Sequence, residues 1–211
     1  MPLTVPILRG LDELGLMATT QQVDRFSRYL EMLDEWNQTY NLTAVRDPAR
    51  MVTHHLLDSL AVLEYCQGDQ LMDLGSGAGL PGIPLAIQRP DWQFQLVDSN
   101  GKKTRFLQHV VRRLALANVT VARERGETVD GHFNTIVVRA FGSLRKIAAV
   151  CEPLLAPEGL VVAMKGQISD GELGEYRVAD SGLSMVGQSS LLVPGVAGVR
   201  SVVLLSRSES G

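Results

Sequence analysis

The residues best placed to do chemistry lie in one run, Leu71-Met72-Asp73-Leu74-Gly75-Ser76-Gly77-Ala78-Gly79-Leu80-Pro81-Gly82. An apolar strand runs into a glycine-rich turn, and Pro81 suits the start of a helix. Gly75, Gly77 and Gly79 let the backbone pass close beneath a ligand. Asp98 stands about 20 residues further on, at the end of the next apolar run, where a carboxylate accepts hydrogen bonds from ribose hydroxyls. Together they indicate an adenosine-containing ligand. Gly77, Gly79 and Gly82 also fit the dinucleotide fingerprint that meets NAD phosphates at a helix start. The Gly75/Gly77/Gly79 spacing directly after Asp73 favours S-adenosyl-L-methionine, whose ammonium and carboxylate use an acidic strand end and loop amides without a pyrophosphate. A dehydrogenase would need a substrate domain for which 211 residues leave little room. A non-catalytic NAD-binding module stays open, as does the plainer alternative of a tight strand-to-helix turn with a solvated Asp98.

The elements that position this run read as a parallel, doubly wound α/β sheet, the Rossmann-like arrangement. Strands are expected at Leu71–Leu74, Phe94–Val97, Val119–Ala122, Thr135–Val138 and Leu160–Met164, with helices at Pro81–Gln88, Lys102–Leu116 and Ser143–Leu155. Pro157-Glu158-Gly159 should turn the chain into the fifth strand. Ahead of the sheet, Val23, Phe26, Leu30, Leu33 and Trp36 recur at helical intervals behind the cap candidates Thr19 and Thr20. A second helical pattern, Met51 to Leu63, follows the breaker Arg46-Asp47-Pro48. Residues 1–65 are therefore expected as a helical cap and 66–211 as the catalytic body. After a helix at Asp170–Val178, the apolar segments Ser190–Val193 and Ser201–Leu205 are expected to pair antiparallel at the sheet edge.

Composition bounds the function. The apolar share of 45% and charged share of 20% are ordinary for a packed domain. No apolar stretch is long enough to span a bilayer, and Met1-Pro2-Leu3-Thr4 does not begin a signal segment, so a cytoplasmic protein is expected. Cys66 and Cys151 lack the spacing of metal ligands, and no metal site is expected. A net charge of −3 opposes a general electrostatic grip on nucleic acid, leaving a local basic face as the route to RNA.

Motifs along the chain resemble a known family, the bacterial small-subunit (16S) ribosomal RNA guanine-N7 methyltransferases, RsmG or glucose-inhibited division protein B. They are Trp36-Asn37, Tyr40 to Asp47, His55-Leu56-Leu57-Asp58-Ser59, Gly75 to Pro84, Asp98-Ser99, Gly101-Lys102-Lys103, Arg105-Phe106-Leu107, Arg139-Ala140-Phe141 and Lys165-Gly166. The resemblance implies a class I S-adenosylmethionine-dependent methyltransferase with cofactor contacts at Gly75, Leu80, Gly126, Glu127 and Arg139, beside the Asp73, Gly77, Gly79 and Asp98 read above. Gly126 departs from the family, where a bulkier residue is common. Glu127 also reads as an exposed loop glutamate. Arg139 ends an apolar run, so its guanidinium faces the ligand crevice or pairs with a nearby carboxylate.

The implied partner is small-subunit ribosomal RNA, free or within a 30S subunit or assembly intermediate, and the implied enzyme is a monomer. Arg46, His55, Lys102, Lys103, Arg105 and Lys165 are the residues expected to meet RNA, although Lys102, Lys103 and Arg105 also suit the solvated face of an ordinary helix. Guanine N7 offers a lone pair with no proton to remove, so no general base is expected. Arg139-Ala140-Phe141-Gly142 stands where exocyclic amine methylation commonly uses an Asn/Asp-Pro-Pro-aromatic turn, and Cys151 sits in an apolar helical pattern rather than as a nucleophile. A methyltransferase acting on a small molecule or another RNA is the alternative.

Overall fold

The computed structural model describes residues 3–178 and 182–207. At its centre is a seven-stranded sheet in the order β3-β2-β1-β4-β5-β7-β6. The parallel strands are β1 (Gln70–Leu74), β2 (Gln93–Val97), β3 (Val119–Ala122), β4 (Phe133–Arg139) and β5 (Leu155–Lys165). The chain leaves β1 toward β2 and β3, then returns to add β4 on the other side. Helices α5 (Gly82–Gln88), α6 (Gly101–Arg113) and α7 (Leu144–Cys151) make the connections. That reversal opens a crevice beyond the carboxyl ends of β1 and β4, the usual ligand position in such sheets.

Side-chain alternation divides the core. Leu71, Phe94, Leu96, Val137, Val162 and Val202 join one buried cluster, whereas Met72, Leu74, Ile136, Val138, Val161, Ala163 and Val203 join another with α7. The first cluster also takes in the N-terminal helices α1 (Thr4–Glu13) and α2 (Thr20–Tyr40). Thr19 starts α2 with a capping box completed by Gln22, and Val23, Phe26, Tyr29, Leu30 and Leu33 are buried along one face. Each such apolar side chain contributes on the order of 2 kcal/mol. Beyond α2, Asp47 caps α3 (Pro48–Met51) by accepting the Ala49 amide at 3.0 Å. The helix continues through a π-helical turn, Val52–Leu57, into α4 (Asp58–Leu60).

Three local expectations are corrected, and one helix is added. Pro81 is the residue before α5 rather than its first turn. β5 begins at Leu155, and Pro157-Glu158-Gly159 bulge within it, as the register jumps from Phe133↔Leu155 to Thr135↔Leu160. At the edge, β7 (Ser201–Arg207) pairs with β5 and with β6 (Leu183–Ser190), not with Ser190–Val193. Leu191 and Val193 are buried in the cluster shared with the N-terminal helices, which explains their apolar character without a strand. Finally, α1 had no expectation, because Pro6 and Gly10 dilute its helical pattern. Among the described residues, no helix is long and apolar enough to cross a membrane.

The end of α5 depends on Asn118, whose Nδ2 donates to the carbonyls of Ala86, Arg89 and Trp92 at 3.1, 3.2 and 3.1 Å. Asn118→Ala is expected to cost about 1–3 kcal/mol in urea unfolding. A loss below about 0.5 kcal/mol would show that solvent replaces these bonds.

Candidate functional site

The site starts from Asp73, fully buried near the end of β1. Its Oδ2 accepts the Gly82 amide at 2.8 Å, which closes the loop between strand and helix. A Cβ at Gly82 would stand 2.6 Å from that oxygen, so only glycine permits the bond. Oδ1 is buried and has no partner among the described residues. Burial raises the Asp73 carboxyl to about 7, opposed by the Gly82 bond and the Arg139 charge and reinforced by Asp98.

Above Asp73 the chain turns through Gly75, Gly77 and Gly79, all at positive φ. The Gly75 and Ser76 amides donate to the Val97 carbonyl at 2.8 and 3.0 Å, tying the loop to β2. Gly75 lies against Phe141, whose ring a Cβ there would meet at 2.8 Å. Asp98 accepts the Gly77 amide through Oδ2 at 2.9 Å and the Asn100 amide through Oδ1 at 2.8 Å. One carboxylate therefore fixes both the loop and the start of α6. Tyr29, on the cap helix α2, donates to the Ala78 carbonyl at 2.8 Å from a buried position. Its part in the loop was not legible in sequence, because its spacing along α2 marks it only as core.

A cavity of about 390 Å³ opens beside this loop. Gly75, Asp98, Gly126 and Glu127 line it, together with Lys103, Arg125, Phe141 and Lys146. Of the other expected cofactor residues, Asp73, Gly77, Gly79 and Leu80 build the turn rather than the wall. Gly126 is buried, and a Cβ there would meet Leu74 Cδ1 at 2.8 Å and Val150 Cγ1 at 2.6 Å. Its departure from the bulkier family residue is thus matched by close neighbours. Glu127 is exposed on the rim.

Arg139 lies next door. It lines a second cavity of about 220 Å³ that shares Ala140 with the first. Its Nη2 pairs with Asp58 Oδ2 at 3.2 Å and donates to the His54 carbonyl at 3.1 Å, while Nη1 is buried and has no partner among the described residues. Asp58 is 2% exposed and pairs through Oδ1 with Arg200 Nε at 2.9 Å. The π-helical turn makes this arrangement possible: the Asp58 amide donates to the Thr53 and His55 carbonyls instead of to His54, four residues back. Crevice and carboxylate, weighed as alternatives for Arg139 in the sequence, hold together here.

The expected RNA residues divide. Arg46, Lys102 and Arg105 are exposed, and Lys103 is half-buried, 3.7 Å from Asp98. Two are corrected. His55 is 4% exposed, with Nε2 on Thr43 Oγ1 at 2.8 Å and Nδ1 donating to the His54 carbonyl at 2.9 Å. Burial, with the Arg139 charge, lowers its pKa to about 4, so it is a neutral tether for the 41–47 loop. Lys165 binds Glu172 Oε1 and the Gly142 carbonyl, each at 2.6 Å, so its charge is already neutralised. Cys151 is fully buried and its thiol is pushed up to about 12, which suits packing and not nucleophilic attack.

The residues present fit a ligand with an adenosine body and a zwitterionic end. The larger cavity has the volume of a small-molecule site. Asp73 and Arg139 carry opposite charges that feel one another, and each leaves one buried polar atom without a protein partner. An ammonium and a carboxylate are the groups that satisfy such a pair. Fold and site thus define a class I S-adenosylmethionine-dependent methyltransferase. Solved structures share the fold: a glycopeptide N-methyltransferase, MtfA, complexed with S-adenosylmethionine aligns with TM-score 0.60 at 10% identity over 74% of this chain and 96% of that one. Magnesium protoporphyrin IX methyltransferase from Synechocystis PCC 6803 aligns with TM-score 0.58 at 16% identity over 90% and 99%.

Residues 22–202 match the family described as rRNA small subunit methyltransferase G. The chain is 46% identical over 200 residues to Ribosomal RNA small subunit methyltransferase G of Stenotrophomonas maltophilia (strain R551-3), covering 94% of this chain and 92% of that protein. The protein of the same name from Salmonella arizonae is 40% identical, with 95% and 97% covered. The chain belongs to this family.

Two outcomes follow from the geometry. The folded Asp73 carboxyl titrates above its ordinary 3.8, so its contribution to stability is complete below that value and is lost as pH rises through about 7. Asp73→Asn keeps an oxygen for Gly82 and should leave stability unchanged near pH 4 but raise it at pH 8, on the order of 2 kcal/mol by urea unfolding. Equal effects at both pH values would mean that charge burial is not the cause. Tyr29→Phe should cost about 1–2 kcal/mol and weaken S-adenosylhomocysteine binding severalfold, read by calorimetry. Unchanged affinity would show that the loop holds its shape without α2.

Proposed function

We propose that this chain transfers a methyl group from S-adenosylmethionine to N7 of a guanine in small-subunit ribosomal RNA. The observation that carries the reading is the pair of cavities that share Ala140, one beside the glycine loop and one lined by Arg139, on a chain of this family. Gly75 and Gly126 flank the adenosine, with Asp98 and Glu127 serving its hydroxyls and base. The turn through Gly77, Gly79 and Leu80 gives the wall its shape, and Asp73 and Arg139 hold the ammonium and carboxylate. The bound cofactor supplies an electrophilic methyl on a sulfonium.

The chain's own task is alignment. Guanine N7 has a lone pair and no proton to lose, so the residues need only orient the base and exclude water. Arg46, Lys102, Lys103 and Arg105 supply exposed or half-exposed cations for phosphates, a local basic face on a chain of net charge −3. Residues 1–65 act as a cap packed on the catalytic body formed by 66–211, and the enzyme works as a monomer in the cytoplasm. The shared apolar cluster and Tyr29 support that division.

The test is transfer of labelled methyl to small subunits from cells lacking the protein, followed by mapping of the modified nucleotide. One 7-methylguanine is expected, with kcat/KM reduced at least about tenfold in Asp98→Ala. Demonstrated cofactor binding with no transfer to subunits or their RNA would overturn the substrate.

A further inference from the structure

We propose that Asp58 is a positioning residue that holds the Arg139 guanidinium for the carboxylate of the methyl donor's amino-acid end. The inference rests on the proposed cofactor reading and extends it to a residue outside the glycine loop. Asp58 belongs to the N-terminal helical segment, Arg139 ends β4, and Arg200 immediately precedes β7. Among the described residues, the Asp58 carboxylate is the group that pairs with both arginines, at 3.2 and 2.9 Å. With its second oxygen bound to Arg200 the carboxylate cannot swing away, so Arg139 is held from one side by Asp58 and the His54 carbonyl. Among the described residues the guanidinium's other edge, Nη1, has no partner, and Arg139 lines the smaller cavity, which shares Ala140 with the one beside the glycine loop. A buried donor left unmade is costly, and an anionic oxygen brought by a ligand removes the cost.

The test compares two probes that differ at the amino-acid end. S-adenosylhomocysteine carries the zwitterion, whereas 5′-methylthioadenosine has the same nucleoside and lacks it. By calorimetry, Asp58→Asn is expected to weaken S-adenosylhomocysteine about tenfold or more and methylthioadenosine less than about twofold. The Asp58→Asn/Arg139→Gln double variant should bind S-adenosylhomocysteine no worse than Arg139→Gln alone, because the two act as one unit. If Asp58→Asn does not fold, Arg200→Gln, which frees one Asp58 oxygen, should show the same selectivity at about two- to fourfold. Equal weakening of both probes, additive losses, or no selective change would overturn the role of Asp58. A wild-type protein that binds neither probe would instead overturn the cofactor reading beneath it.

Discussion

The structure turns on a carboxylate kept where water cannot reach it. Asp73 spends its burial on a single bond to the Gly82 amide, and that bond sets where β1 stops and α5 starts. The loop between them then has little freedom: its amides are bound by Val97 and Asp98, and its Ala78 carbonyl by Tyr29. Burial also holds the Asp73 carboxyl near neutrality in its titration, a poised state that a cationic ligand group would resolve.

A second buried carboxylate does the corresponding work across the crevice. Asp58 draws Arg139 and Arg200 together, and the ion pairs join segments far apart in sequence. Taking these charges out of water is expensive, and loss of one partner strands the others. Such an arrangement is weak as a source of stability and strong as a device for fixing geometry. The π-helical turn at Val52–Leu57 belongs to the same device, since it leaves the His54 carbonyl for Arg139. The N-terminal helices and the C-terminal hairpin thus meet at the end of β4 through charge, and elsewhere through apolar packing.

Electrostatics separates the inside of the site from its rim. Within it, Asp73 and Arg139 are a matched pair in which each lacks one partner. Around it, Lys103, Arg125 and Lys146 line the larger cavity together with Asp98, Glu124 and Glu127, so cations and carboxylates are interspersed there.

Much of this was legible in sequence. β4 and the second half of β5 announce themselves because both faces are buried and their apolar runs are continuous, and Val119–Ala122, of which only Val119 is buried, was nevertheless bounded as observed. The glycine loop and Asp98 were legible because backbone conformation and close approach demand those residue types at that spacing. What sequence did not determine depends on partners distant along the chain. Leu183–Ser190 buries only Leu183 in an alternating edge pattern, so no apolar run marks it as a strand. His55 and Lys165 carry the residue types of RNA contacts, and only packing against Thr43 and Glu172 shows that their polar groups are occupied. Tyr29, Asp58 and Arg200 acquire their roles the same way. A spacing rule describes one element at a time, whereas a buried hydrogen bond or ion pair is decided by what the fold brings to the other end.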